Sequence, residues 1–249
     1  MSKTIYKKSR GLTERGLTYC PGCTHGIAHK LIAESLVELE LIDRAVAIAP
    51  VGCSVFAYDF FNCDGIQAAH GRAPAVATGV KRANPNSIVF TYQGDGDLAA
   101  IGTAETVHAA HRGENFTVIF INNAIYGMTG GQLAPTTLAG QKTSTSPFGR
   151  LVADQGLPIK VCEMLAPVPS SYYLERVSLH DVPHIRKAKA AIKKAFEYQT
   201  QEKGFCMVEI LSSCPVGWNV TPQEALGFIK DQMVPYYPLG VFKDKGGVR

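Results

Sequence analysis

The chain has 249 residues, 46% hydrophobic and 18% charged, with a formal net charge of +4. That length can bury a substantial core as one large domain or two small ones. No apolar stretch reaches a membrane span, residues 1–10 lack the apolar centre of a secretory leader, and the charge is too weak for nucleic-acid binding, so a cytoplasmic protein with neither membrane nor nucleic acid as partner is expected.

After a polar N-terminal arm, Ile27, Leu31, Ile32, Leu36 and Leu39 recur near helical spacing and predict a helix over residues 26–39. Ala45-Val46-Ala47-Ile48-Ala49 reads as a buried strand ended by Pro50 and Gly52. His70-Gly71-Arg72 opens a helix expected over 71–82. A strand over 88–92 then leads into Gly94-Asp95-Gly96-Asp97, a helix over 99–110 follows, and a strand over 117–121 ends at Asn122-Asn123. Such strand–helix–strand crossovers build right-handed parallel sheets with ligand sites at the carboxyl ends of the strands.

Residues 126–150 are rich in Gly, Thr, Ser and Pro without periodicity, and a loop of that length is usually functional or mobile. Further strands are expected over 159–162, 173–177 and 206–211, with a helix over 182–198 between the last two. Within that helix Arg186, Lys187, Lys189, Lys193 and Lys194 alternate with Ala and Ile as on a solvated face, which would also serve to dock an acidic electron carrier. The tail over 222–249 reads as one helix and then an extended segment. The expected architecture is a single α/β domain over 1–249, doubly wound around a mostly parallel sheet, with an N-terminal arm and a C-terminal extension.

Two of these strand ends carry oxygen ligands, and only residues 97–121 separate Gly96 from Asn122. A hard divalent cation such as Mg²⁺ takes oxygen ligands and shares its sphere with phosphates. Asp95 would give a carboxylate, Asn123 an amide oxygen and Ile125 a backbone carbonyl. Gly94 and Gly96 are expected to let the chain turn tightly and to admit a phosphate to the backbone. Asp97, Tyr126, Gly127, Met128 and Thr129 flank these ligands, and the stretch 129–132 is expected to line the same pocket. Each half alone would pass for a polar strand exit; together they resemble the thiamine diphosphate (TPP) motif.

Seven cysteines without an extracellular signal point to metal binding or catalysis rather than disulfides. Cys20-Pro21-Gly22-Cys23 precedes a helix and by itself suits a redox dithiol, a zinc site or an iron–sulfur site. Cys53 and Cys214 lie in turns after apolar runs, as Gly52-Cys53-Ser54 and Ser213-Cys214-Pro215. Cys162 and Cys206 lie in apolar runs and read as buried free thiols, while Cys63 follows an aromatic-rich segment.

These motifs together, from Cys20 to Tyr236-Tyr237-Pro238-Leu239-Gly240, resemble the β subunit of 2-oxoacid:ferredoxin oxidoreductases, most of all the branched-chain (2-oxoisovalerate) type. The resemblance implies a TPP diphosphate-binding fold and CoA-dependent oxidative decarboxylation of a 2-oxo acid, with electrons leaving for ferredoxin. It implies a 4Fe–4S cluster on Cys20, Cys23, Cys53 and Cys214, with zinc as the alternative occupant. It also implies partners: a pyrimidine-binding α subunit that supplies the activating glutamate, with γ and ferredoxin-like δ subunits. His25, His70 and Arg72 recur in the family's motifs and are the candidate catalytic residues. For the histidines, contact with phosphate, substrate or an intermediate competes with a purely structural place at a helix N-terminus; for Arg72, phosphate competes with an interface carboxylate.

Ser54-Val55-Phe56-Ala57-Tyr58 carries no positive charge, so an apolar substrate pocket is expected rather than one for 2-oxoglutarate. An aryl 2-oxo acid is the near alternative. A non-oxidative TPP decarboxylase would leave the four cysteines without a role, and an electron-transfer subunit would leave Asp95 and Asn123 without one.

Overall fold

Four runs, Ala45–Ala49 (β1), Ile88–Gly94 (β3), Thr117–Asn122 (β4) and Phe205–Leu211 (β6), are buried along almost their whole length. Strands without polar alternation need cover on both faces, which a parallel sheet between two helical layers provides. The computed structural model describes residues 6–247, so the first residues of the N-terminal arm and the last of the C-terminal extension lie outside the description. Three strands complete the sheet: Asp64–Gln67 (β2), Ser171–Ser178 (β5) and Gly240–Asp244 (β7). Their order is β2-β1-β3-β4-β6-β5-β7, parallel throughout except β7, which runs antiparallel to β5.

The helices are His25–Glu38 (α1), Ala57–Phe60 (α2), Ala73–Ala83 (α3), Thr103–Arg112 (α4), Val152–Gln155 (α5), Val161–Leu165 (α6), Val182–Thr200 (α7), Pro215–Trp218 (α8), Pro222–Phe228 (α9) and Val234–Tyr236 (α10). Leu31, Ile32 and Leu36 of α1 with Ile192 and Phe196 of α7 cover one face of the sheet, over Phe90, Tyr92 and Ile119. Ala77, Ala109, Val161 and Leu165 from α3, α4 and α6 cover the other, over Val89, Val118 and Phe120. A third cluster, with Ile229, Met233 and Tyr237 from the tail, packs on Ala124, Leu138 and Leu211 beyond the strand ends. Among the described residues, no helix is long and apolar enough to cross a membrane.

The expected strand over 159–162 does not form: residues 159–160 are irregular and 161–162 start α6. A four-residue apolar run has no readable period, and Val161, Cys162 and Leu165 recur at the one- and four-residue steps that put them on one buried helix face. Cys162 is thus a buried helical thiol, not a strand one. Edge strand β2 is exposed along its length and carried no apolar signal. The tail helix continues through a wide π turn, Ile229–Met233, into α10, and the extended segment after it is β7. Loop 126–150 has no regular element but is well tied. The buried Arg150 guanidinium donates to the carbonyls of Ala134, Pro135 and Thr137 on one side and Gln155, Gly156 and Leu157 on the other. The basic face of α7 is largely paired: Lys189 with Glu34 at 2.8 Å and Glu38 at 2.6 Å, and Lys194 with Asp244 at 2.5 Å.

Candidate functional site

Strand β2 lies to one side of β1 and β3 to the other, so the loops after β1 and β3 diverge. A crevice at such a topological switch point is where open α/β sheets bind ligands. Here it is a cavity of about 380 Å³, lined by residues 51–54, 94–97 and 125–129 with His25, His70, Ala100, Ile101 and Asn123. In the register of β3 with β4, Gly94 is level with Ile121. The turn after β3 and Asn122-Asn123 after β4 therefore leave the sheet side by side.

Asp95 is almost fully buried. Its Oδ1 accepts from Gly96 N at 2.8 Å, and its Oδ2 from Thr136 Oγ1 at 2.6 Å and Ile125 N at 3.2 Å. Burial pushes its carboxyl up to about 6, against the pull of these hydrogen bonds. The side-chain oxygen of Asn123 faces Asp95 Oδ2 at 3.2 Å and the carbonyl of Ile125 at 2.7 Å. Turning the amide over would make its nitrogen donate to both; as placed, carboxylate, amide and carbonyl oxygens converge, which is the donor set of a hard cation. Ala124, between the two ligand positions, is left-handed with φ 57°. That conformation costs an L-residue about 1–2 kcal/mol, and its carbonyl is held by Thr137 Oγ1 at 2.7 Å and Gln141 Nε2 at 3.2 Å.

Gly96 is required for a reason other than a tight turn. Its φ is −65°, ordinary helical geometry, but a Cβ there would lie 2.1 Å from the Tyr126 ring. The chain winds on into a π turn, Asp97–Ile101, before α4 begins at Thr103, later than the helix expected from 99. Asp97 lines the cavity, yet its carboxylate is committed to the protein. Its Oδ1 accepts from Gly71 N and pairs with His70 Nδ1, both at 2.6 Å, and its Oδ2 accepts from Gln93 Nε2 at 2.7 Å. Arg72 stands outside the lining, 2.6 Å from Glu105, with Nη1 donating to the Ile101 carbonyl at 3.2 Å. The carboxylate it meets belongs to its own chain.

His25 is buried, bonded through Nδ1 to the Tyr92 hydroxyl and stacked on Tyr19 at 4.7 Å between centroids. Burial pushes its imidazole down to about 4, so it is neutral at physiological pH. The Tyr19 hydroxyl meets His29 Nε2 at 2.8 Å and donates to the Cys53 carbonyl at 3.1 Å, tying this aromatic group to a cysteine loop.

Cys53 lines the cavity; Cys20, Cys23 and Cys214 are not among its lining residues. The thiols share one electrostatic field. Beside burial, which dominates, Cys23 is raised by Cys53 and Cys20, and Cys214 by Cys23, Cys53 and Asp95, each to about 12. Four cysteines around one zinc ion would hold their sulfurs about 3.8 Å apart, from Zn–S bonds near 2.3 Å. Among the described residues, the group of ligand atoms all within 4.8 Å of one another is His180, Asp181 and His184, not these cysteines. Gly127 keeps the chain off the sulfur of Cys214: a Cβ there would sit 2.9 Å from Sγ and 3.9 Å from Asn123 Nδ2.

The apolar stretch after Cys53 does not line the cavity as expected. Tyr58 turns its hydroxyl to the Ala49 carbonyl and Phe56 packs edge-on against Tyr19; only Ser54 faces the cavity, its hydroxyl buried without a partner. Sequence reading missed Thr136, Ala124 and Tyr237, whose hydroxyl donates to the Thr136 carbonyl at 2.6 Å. It also missed Trp218, which donates to the Asn123 carbonyl at 3.0 Å. Tyr237 lay in a recognised tail motif but with no role read from it; for the others, the unexplained Thr content of the loop was the nearest signal.

The thiamine pyrophosphate enzyme, C-terminal TPP binding domain, matches residues 50–210. Ketoisovalerate oxidoreductase subunit VorA of Methanothermobacter thermautotrophicus is 48% identical over 241 residues, 97% of this chain and 50% of that protein. The 2-oxoglutarate synthase subunit KorB of Methanocaldococcus jannaschii is 35% identical over 222 residues, 87% of this chain and 78% of that protein. The chain thus spans about half the length of the first of these relatives and most of the second. A 2-oxoglutarate:ferredoxin oxidoreductase from Magnetococcus marinus has the same fold, with a TM-score of 0.80 over 98% of this chain and 87% of that one at 24% identity. The chain belongs to the TPP-binding β subunits of the 2-oxoacid:ferredoxin oxidoreductases, built on the C-terminal TPP-binding domain of the thiamine pyrophosphate enzymes.

Proposed function

We propose that this chain is the β subunit of an enzyme that converts a branched-chain 2-oxo acid and CoA to acyl-CoA and CO₂, delivering the electrons through a 4Fe–4S cluster to ferredoxin. The observation that carries the reading is the adjacency of the two ligand sets: Cys53 lines the cavity that holds Asp95, Asn123 and Ile125, and a Cβ at Gly127 would lie 2.9 Å from the Cys214 sulfur and 3.9 Å from the Asn123 amide nitrogen. TPP when bound supplies the carbanion chemistry, and a cluster beside it removes electrons. A non-oxidative decarboxylase has no use for the cysteines.

In this reading Asp95, Asn123 and the Ile125 carbonyl would hold Mg²⁺ for the diphosphate, and residues 126–129 line the same cavity. Cys20, Cys23, Cys53 and Cys214 hold the cluster, whose charge makes thiolates tolerable where burial alone disfavours them. Neutral His25, fixed by Tyr92, presents its free nitrogen toward the cavity as a hydrogen-bonding group for substrate or intermediate. His70, anchored on Asp97, fixes the cavity wall. Arg72 braces the start of α3 through Glu105 and has no catalytic part. Among the described residues, the lining contains no Lys, Arg or Glu. Lack of a cation leaves a distal carboxylate unpaired, which favours a branched-chain acid over 2-oxoglutarate. With no glutamate among the lining residues, this reading leaves cofactor activation to a pyrimidine-binding α subunit, in an assembly with γ and ferredoxin-like δ subunits. Free thiols and a cluster suit the reducing cytoplasm.

Anaerobic purification followed by iron, acid-labile sulfide and TPP analysis tests this. Iron and sulfide in equal amounts, near four each per chain for a single cubane, support it, whereas zinc without labile sulfide would overturn the cluster assignment. Steady-state rates with the reconstituted complex decide the substrate; a preference for 2-oxoglutarate over 2-oxoisovalerate would displace the branched-chain assignment.

A further inference from the structure

Behind the oxygen triangle lies a buried polar chain with no cofactor contact to explain it. Arg176 and Glu209 are wholly buried, with Arg176 Nε 2.9 Å from Glu209 Oε2 as an ion pair lacking hydrogen-bond alignment. Arg176 also meets Glu163, at 3.0 Å from Nη1 and 2.5 Å from Nη2. An ion pair taken fully out of water adds little net stability, so another return is expected from it. The free oxygen of Glu209, Oε1, accepts from Asn122 Nδ2 at 2.8 Å, which fixes the amide with its oxygen toward Ala124. There Asn122 Oδ1 accepts from Ala124 N at 3.2 Å.

In an extended strand, successive residues point to opposite faces and the chain moves steadily away from each. One left-handed residue breaks that progression. With Ala124 at φ 57°, the chain folds back and the Ile125 carbonyl comes within 2.7 Å of the Asn123 side chain. Alanine has no preference for that conformation, and its neighbours must impose it.

We infer that Asn122, aimed by Glu209, is a positioning residue for the cation site: it clamps Ala124 in the left-handed conformation that turns the Asn123 amide and the Ile125 carbonyl onto Asp95. The first asparagine of the pair shapes the turn that the second uses. This rests on the reading of the oxygen triangle as a divalent-cation site, and the test separates the two.

The discriminating variant is Ala124→Gly, because glycine adopts positive φ without help. If Asn122 acts through Ala124, that substitution removes the need for it. The probe is Mn²⁺, titrated into the full chain with TPP present and followed by the loss of the free-ion EPR signal. Trp218 emission is recorded alongside; it is the only tryptophan of the chain and bonds the Asn123 carbonyl. Asn122→Ala is expected to weaken Mn²⁺ binding by about 10–100-fold, as loss of an outer-sphere partner does, and to shift the emission. Ala124→Gly alone should stay within about threefold of wild type. The double variant should regain at least about tenfold of the loss and restore the emission.

Asn122→Ala binding like wild type, or a double variant no better than Asn122→Ala, would overturn the inference. Should wild type itself bind no Mn²⁺, the cation reading fails on its own. The clamp is then judged without metal by amide hydrogen exchange at Ala124 and Ile125, which must quicken in Asn122→Ala; unchanged exchange overturns it.

Discussion

Thr136 donates a hydrogen bond of 2.6 Å from Oγ1 to Asp95 Oδ2, joining the loop after β4 to the carboxylate at the end of β3. The same residue accepts from Tyr237 in the tail at 2.6 Å, so the orientation of Asp95 depends on segments far along the chain. Thr136→Val keeps the shape and removes the donor. A hydrogen bond to a buried charge is worth about 1.5–3 kcal/mol. TPP binding in the presence of Mg²⁺, measured by calorimetry, should weaken by about tenfold or more. Unchanged affinity would show that Asp95 is held adequately by Gly96 and Ile125.

Asp95 also sets a pH dependence. Burial raises it from 3.8 to about 6 in the folded chain. Between those values the folded state binds a proton that the unfolded state has released. The stability contributed is therefore full below the unfolded value and lost as pH rises through about 6. His25 works in the opposite sense: its lowered value contributes stability above 6.5 that is lost as pH falls through about 4. Thermal melts of cation-free wild type and Asp95→Asn from acid to neutral pH separate the two. The advantage of wild type should shrink as pH rises, while its Mg²⁺ affinity should climb, by at most about tenfold per pH unit.

The two glycines of the turn should part company. A Cβ at Gly96 would strike the Tyr126 ring, whereas nothing lies within 4 Å of one at Gly94. Gly96→Ala should lower stability by about 1–3 kcal/mol in denaturant melts, and Tyr126→Ala in the same chain should recover most of it. Gly94→Ala should leave the melt unchanged and weaken diphosphate binding.

Cysteine substitutions should divide just as sharply. Cys214→Ser should cost most of the iron and labile sulfide of anaerobically prepared protein. Cys162→Ser, in the buried face of α6, and Cys206→Ser, inside β6, should retain both. Iron loss in all three variants alike would point to general unfolding rather than ligand loss.

What the sequence could determine was whatever rests on local period and spacing. The apolar runs of β1, β3, β4 and β6 declare buried strands by themselves. The length between the Gly94–Asp97 turn and Asn122-Asn123 allows one crossover helix, which returns both ends to one edge of a parallel sheet. The cysteine turns are legible for the same reason: each follows a run or opens a helix.

Only the tertiary structure decided where side chains at those edges turn. Asp97 faces His70, Gly71 and Gln93 instead of standing free, and Arg72 finds Glu105. Thr136 reaches Asp95, and Glu209 reaches Asn122 from a strand distant in sequence. The end of the short run at 159–162 joined α6 because packing on the sheet chose between two periods that four residues cannot distinguish. These are long-range hydrogen bonds and packing contacts, chosen by what burial leaves unsatisfied once the sheet has formed, and no local pattern of residues encodes them.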